Sequence, residues 1–308
     1  MRSRLAIMLD MRSNVVHLVG ILLLLAGWPT DAQVPTDSRE PEKPCRCFSD
    51  QPDETTTPQI QIAEVTFSGS LQLSTAEQQQ IAESIKQRLY DNSVDGIVEN
   101  AEEMAREGWQ DRGYFKVRVS GDARTLTSNA IAHRIAISMD VEEGPQYRFG
   151  EIVFKDNKAI ADVGFLRGLF PIQRDEIASR EKIAKGLVNL KNAYDELGYL
   201  NFTPVPIPSF NEENRALSFE IDIDEGKQFH IGGITTLGLD ESVRQKLLKE
   251  FSAGQTYSER KFRTFLKEHA SEFSAYFEPD DPFVTDRHLD ERNGIVFIRV
   301  DVRPCIHD

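Results

Sequence analysis

Six histidines, three cysteines and a few adjacent carboxylates are the residues of this 308-residue chain best suited to chemistry. The histidines, His17, His133, His230, His269, His288 and His307, show no His-x-x-x-His or His-Glu-x-x-His spacing, so no two of them are set to hold a metal from one helix face. His133 shares the apolar parity of Ile131 and Ile135, the mark of a half-buried core histidine. Asp280-Asp281 and Glu142-Glu143 supply neighbouring carboxylates, as any acidic surface does. No Gly-x-Ser-x-Gly is present, and the glycine-rich stretch from Gly232 to Gly238 lacks the lysine of a phosphate loop. Cys45 and Cys47 lie in a tract rich in Pro, Asp, Glu and Thr, and Cys305 stands close to the C-terminus. Three thiols cannot all pair within one chain, so one candidate disulfide among Cys45, Cys47 and Cys305 leaves a free thiol. These residues predict no catalytic residue, no metal site, no cofactor and no small-molecule substrate.

The N-terminus predicts export. Arg2, Arg4 and Arg12 precede an apolar run from Val15 to Trp28, and Thr30-Asp31-Ala32 offers small residues at a cleavage point. An apolar run of that length behind basic residues reads as a secretory signal over 1–32, since a bilayer span needs about 20 residues. An uncleaved membrane anchor is the alternative. Losing that segment removes three Arg and two Asp and moves the net charge from −14 to −15. So acidic a chain repels phosphate backbones and anionic lipid, which argues against nucleic-acid partners. Residues 33–58 lack apolar periodicity and read as a flexible linker.

Beyond Ile60 the chain repeats. Val141-Glu-Glu-Gly-Pro-Gln-Tyr-Arg-Phe-Gly-Glu-Ile152 returns as Ile223-Asp-Glu-Gly-Lys-Gln-Phe-His-Ile-Gly-Gly-Ile234, and Ile60 to Phe67 is a weaker third copy of its second half. Apolar residues fall at Ile60, Ile62, Val65 and Phe67; at Tyr147, Phe149, Ile152 and Phe154; and at Phe229, Ile231 and Ile234, with Thr236 fourth. Simple strand alternation would place the last two one residue earlier. Each strand therefore carries one extra residue, and Ala63, Gly150 and Gly232 are the expected bulge positions.

Two helical stretches follow each such strand. Ser74-x-x-Glu77 is a capping box ahead of Ile81, Ile85 and Leu89. Asp240 precedes Val243, Leu247, Leu248 and Phe251. The stripe Phe165, Leu166, Leu169, Phe170 is irregular and predicts a short first helix in the middle repeat. The second helices carry Ile97, Ala101, Met104 and Trp109; Ile183, Leu187, Leu190, Tyr194 and Leu197; and Phe262, Phe265, Leu266 and Phe273. Two alternating strands close each repeat. These are Phe115 to Val119 with Ile131 to Val141, Val205 and Ile207 with Leu217 to Ile223, and Phe283 to Leu289 with Val296 to Val302. The expected class is α+β: a tandem array of three β-α-α-β-β modules, each a three-stranded mixed sheet under two helices, over 59–145, 146–227 and 228–304, with a 305–308 tail.

This order, with its Glu-Glu-Gly-Pro and Asp-Glu-Gly-Lys turns and its Gly113-Tyr114 and Gly198-Tyr199 pairs, resembles the POTRA (polypeptide-transport-associated) domains of BamA- and TamA-type outer-membrane assembly factors. In the third repeat Ala275-Tyr276 replaces the Gly-Tyr pair. The family continues into a membrane β-barrel, whereas this sequence ends six residues after Val302, so the expectation is the periplasmic arm without the barrel. The resemblance implies a non-enzymatic periplasmic scaffold or chaperone-like adaptor for outer-membrane protein assembly or secretion. Its implied partners are unfolded or extended polypeptides, or a separately encoded outer-membrane β-barrel protein. It also implies that the second strand of each module is a sheet edge able to take a guest strand. Candidate edge residues are Tyr114, Phe115, Val117 and Val119 in the first module and Phe283, Thr285 and Arg287 in the third. Pro204, Pro206 and Pro208 occupy alternate positions, place their missing N–H groups on one side, and blunt the middle edge. Two other readings compete: a structural envelope protein that self-associates or binds one fixed partner, and an envelope hydrolase using Asp280, Asp281 and Asp286.

Overall fold

The computed structural model describes residues 59–88, 94–128, 132–272 and 285–303. They form three three-stranded mixed sheets, each accompanied by two helices. In the first, β1 (Gln59–Ser68), α1 (Thr75–Gln87), α2 (Val94–Gln110), β2 (Arg118–Ser128) and β3 (Ala132–Glu142) give the order β1-β3-β2. The second comprises β4 (Arg148–Lys155), α3 (Val163–Gly168), α4 (Arg180–Glu196), β5 (Thr203–Asn211) and β6 (Ala216–Asp224), ordered β4-β6-β5. The third comprises β7 (His230–Leu237), α5 (Glu241–Glu250), α6 (Glu259–Glu268), β8 (Thr285–Asp290) and β9 (Ile295–Asp301), ordered β7-β9-β8.

The last strand of each set is central because its alternation is the most regular. Ile135, Ile137, Met139 and Val141 are buried, as are Leu217, Phe219, Ile221 and Ile223, and Val296, Ile298, Val300 and Val302. A period of two lays four apolar side chains on one face, and the paired helices cover that face. The central strand runs parallel to the first strand and antiparallel to the second in every sheet.

The helices start where their side chains satisfy the first turn. Ser74 and Glu77 make a reciprocal capping box on α1, with the Glu77 carboxylate accepting from the Ser74 amide at 3.1 Å. The Ser179 and Ser258 hydroxyls accept the Lys182 and Lys261 amides, each at 3.2 Å, at the starts of α4 and α6. The irregular stripe near Phe165 gives only the six-residue α3, with Phe165 itself 49% exposed.

One expectation needs correction. Phe115, Val117 and Val119 alternate, yet β2 begins only at Arg118. Tyr114 and Val117 are buried in a tight turn in which the Val117 amide donates to the Tyr114 carbonyl at 3.2 Å and the Tyr114 amide donates to the Trp109 carbonyl at 3.1 Å. The alternation comes from core packing beneath the turn, and Tyr114, Phe115 and Val117 are no part of the edge strand.

Candidate functional site

The second strands β2, β5 and β8 each pair with one neighbour and leave an outer edge. Register makes their positions comparable. Val119, Gly121 and Ala123 pair with Val141, Met139 and Ile137. Pro204, Pro206 and Pro208 stand opposite Ile223, Ile221 and Phe219, and Thr285 and Arg287 opposite Val300 and Ile298. Gly121, Pro206 and Thr285 are thus equivalent, and so are Ala123, Pro208 and Arg287.

Equivalence of register does not make the edges alike. The Gly121 amide donates to Glu102 Oε1 of α2 at 2.7 Å, so its N–H points away from β3 and toward the outer edge. Residues two apart share that direction, which places the Val119 and Ala123 amides on the same side. At β5 three prolines remove every such donor from Pro204 to Pro208. At β8 the Thr285 and Arg287 positions keep theirs, and the Arg287 guanidinium is held over the start of α6 by Glu259 at 2.5 Å. Within the first edge, β2 also shifts register between Thr125 and Thr127, with Leu126 left 38% exposed. Phe283, Asp280 and Asp281 lie outside the described residues, as do Cys45, Cys47 and Cys305. Asp286 stands on β8.

The first strands shift register between Ile62 and Glu64, between Phe149 and Ile152, and between Ile231 and Gly233. Ala63, Gly150 and Gly232 sit at those shifts. A Cβ on Gly150 would lie 2.3 Å from Ser218 Oγ, and one on Gly232 would lie 2.4 Å from Ile295 Cγ2. In the second and third sheets a central-strand side chain fills the place a Cβ would take, which favours glycine at the shift, whereas the first sheet has room for Ala63.

The sets are joined by contacts the sequence reading missed. Asp111, just past α2, accepts the Glu181 amide at 2.6 Å and lies 3.4 Å from the Ser179 hydroxyl. Asp195, in the last turn of α4, accepts the Ser258 hydroxyl at 2.8 Å and the Arg260 amide at 3.0 Å. Each carboxylate thus occupies the positive end of the following repeat's helix. Burial raises the Asp111 carboxyl above the usual aspartate range against the opposing pull of the Glu181 amide. The backbone repeats the pattern: Tyr147 and Phe229 amides donate to the Gly113 and Gly198 carbonyls, both at 2.8 Å. Gly113 and Gly198 have φ of +90° and +84°, and a Cβ on either would come within 2.9 Å of the Tyr147 or Phe229 carbonyl oxygen. Only glycine fits there. At the first junction Lys116 also pairs with Glu212, whose other oxygen accepts the Tyr147 hydroxyl at 2.8 Å. Both bonds hold the Glu212 carboxyl below its ordinary range.

Glu143 belongs to more than a turn. It is 2% exposed and accepts the Gln72 amide at 2.6 Å, the Leu73 amide at 3.1 Å and the Trp109 indole N–H at 2.9 Å. Its counterpart Glu225 accepts the Ala159 amide at 2.7 Å and the Tyr194 hydroxyl at 3.1 Å. In the first two repeats one carboxylate at the end of the central strand thus ties the loop after the first strand to the second helix.

Among the described residues no helix is long and apolar enough to cross a membrane. Residues 147–226 match the POTRA family model, described as "Surface antigen variable number repeat". A protein of Treponema pallidum (strain Nichols) named "Putative outer membrane protein assembly factor" is 24% identical over 217 residues, which cover 68% of this chain and 26% of that protein. The chain thus spans about a quarter of the length of this curated relative. The crystal structure of POTRA domains 3–5 of Haemophilus influenzae BamA superposes with a TM-score of 0.57 at 19% identity, covering 80% of this chain and 97% of that one. The fold is that of a BamA POTRA array. The middle set of elements, over 147–226, is thus similar to the POTRA family, and the three repeated sheets together share the fold of a BamA POTRA array.

Proposed function

We propose that this chain is a periplasmic polypeptide-binding scaffold, chaperone-like and non-enzymatic, that serves outer-membrane protein assembly or secretion by strand addition at sheet edges. Its modules span 59–145, 146–227 and 228–304. The reading is supported by the name of the Treponema relative, by the POTRA match over 147–226 and by the basic and apolar N-terminal segment expected to direct export. Its clients are extended polypeptides or a separately encoded outer-membrane β-barrel protein.

The observation that carries the mode of binding is the contrast at one register position. Pro208 closes the middle edge, whereas Ala123 and Arg287 keep a backbone donor in the same place. Between these two, β8 is the more open, because Glu102 already occupies the Gly121 amide on β2. A guest strand needs alternating donors and acceptors along the edge it joins. The array therefore offers two usable edges at Val119–Ala123 and Thr285–Arg287, separated by an unusable one.

The test transplants the proline. Ala123→Pro and Arg287→Pro each remove one outward N–H while leaving the ladder to the central strand intact. In pull-downs from envelope extracts and in cross-linking to an unfolded outer-membrane protein, R287P should lower capture at least severalfold, and the double variant further. Thermal unfolding should change little. Full capture by a folded double variant would overturn strand addition. A single stoichiometric partner in place of many unfolded clients would replace the chaperone with a fixed scaffold.

A further inference from the structure

The middle edge is shut to guest strands, yet it borders an unusual surface. A proline cannot exchange the paired N–H···O bonds of a hydrogen-bonded position, so Val205, Ile207 and Ser209 must carry the β5–β6 ladder. Pro204, Pro206 and Pro208 then turn their carbonyls to the free edge with no N–H among them. That edge only accepts.

The solvent face beside it is apolar and acidic in rows. Val205 and Ile207 are 50% and 48% exposed, and Val153 on β4 is 43% exposed. Ile207 pairs with Glu220, which pairs with Val153; Val205 pairs with Asp222, which pairs with Lys155. Glu220 and Asp222 are exposed, and Lys155, the one cation in these rows, lies 3.4 Å from Glu220. An acidic central row is therefore flanked by exposed aliphatic side chains and bounded by a rail of carbonyl oxygens.

We propose that this face of the middle sheet binds a basic polypeptide segment in which Arg or Lys alternates with apolar residues. This rests on reading the array as a polypeptide-binding scaffold, but recognition here uses side chains and adds no strand. Charge complementarity selects the occupant: guanidinium or ammonium groups donate to Glu220, Asp222 and the proline carbonyls, all of them acceptors. The apolar side chains and the stems of the cations lie on Val205, Ile207 and Val153. The spacing of Val205 and Ile207 is that of every second residue in an extended chain. An acidic segment meets like charge along the central row, and the net charge of −14 adds to that repulsion.

The test is fluorescence anisotropy of the whole chain with a labelled eight-residue peptide of alternating Arg and Val, against its Glu–Val counterpart. Saturable binding of the first and none of the second is expected. Glu220→Gln with Asp222→Asn should weaken binding by about tenfold or more, as for paired charges in an interface. Val205→Thr with Ile207→Thr should weaken it severalfold. Glu64→Gln with Asp140→Asn removes two acids from the first repeat and should leave affinity unchanged. All of these positions are exposed or hold conservative replacements, and matched thermal unfolding confirms folding. An unchanged affinity in E220Q/D222N, an equal loss in the first-repeat pair, or no binding at all would overturn the proposal. If A123P/R287P abolishes peptide binding and E220Q/D222N does not, the peptide adds as a strand, and the edge mechanism stands while this one fails.

Discussion

The Asp195 carboxylate accepts the Ser258 hydroxyl at 2.8 Å, so the end of α4 completes the N-terminal cap of α6 in the following repeat. Ser258 is itself buried and also accepts the Lys261 amide, which makes it the shared member of two caps. Replacing Asp195 by Ala strips acceptors from the Ser258 hydroxyl and two amides at once. The expected cost is about 1–2 kcal/mol, the usual range for a lost helix cap, and it should fall on the third repeat. Hydrogen exchange of α6 checks it: faster exchange there, with α2 unchanged, is the expected pattern. Slowed or unaltered exchange in α6 would refute the assignment.

Glu143→Ala leaves the Gln72 and Leu73 amides and the Trp109 indole N–H without their acceptor in a buried site. A loss of about 2–4 kcal/mol is expected from orphaning several buried donors. Trp28 precedes the repeats, so Trp109 is the only tryptophan among the described residues. Its emission therefore reads the first repeat alone. An earlier denaturant midpoint in that signal is expected, with far-ultraviolet circular dichroism retaining the later transition of the other repeats.

Gly198→Ala meets two penalties, a left-handed φ of +84° and a Cβ placed 2.5 Å from Thr256 Cγ2. Gly254 has the same φ with nothing within 4 Å of its Cβ. Gly254→Ala should cost about 1–2 kcal/mol from conformation alone, and Gly198→Ala distinctly more. Parallel thermal melts separate the steric part. Equal losses would mean the junction yields without resistance.

The Lys116–Glu212–Tyr147 contact bounds the first junction in pH. Glu212 is held below its ordinary value by Lys116 and Tyr147, so its contribution is present above the unfolded carboxylate range and is lost as pH falls through the lowered value. Lys116 is raised by Glu212 first and Tyr147 second, so its share is present below the ordinary lysine value and is lost as pH rises through the raised one. Both groups are exposed, so the effect on global stability should be small. The local reading is the Lys116 ammonium resonance across an acid titration. It should shift with the Glu212 carboxyl, and Glu212→Gln should abolish that shift.

Much of the fold was legible because burial writes itself into spacing. The break in the alternation at Ile62–Val65, Phe149–Ile152 and Ile231–Ile234 marked the register shifts, and Ile183 to Tyr194 marked a helix. The second strand of the first repeat starts later than its alternation suggests, because Tyr114 and Val117 pack under a turn and packing alone gives a strand-like pattern. The junction carboxylates were missed for a different reason. Asp111 precedes Gly113 by two residues and Asp195 precedes Gly198 by three, so aligning the repeats on glycine puts the two acids out of step. Glu143 and Glu225 did recur in step, each before a glycine, and the signal was there. In sequence it reads as turn chemistry, because only the fold brings Trp109 and Tyr194 back to meet them. At the edges, the prolines were readable from sequence, while the Glu102 carboxylate on Gly121 needed coordinates.

The junction described above has a head and a tail. Asp195 and Gly198 belong to the tail of one repeat, whereas Ser258 and Phe229 belong to the head of the next. Such a contact is heterologous: neither surface is complementary to itself. Two copies meeting through it could not close into a two-fold pair; they would add head to tail, as a ring or a file. Direction along the chain is thus written into the array by where a carboxylate ends one helix and a serine begins the next.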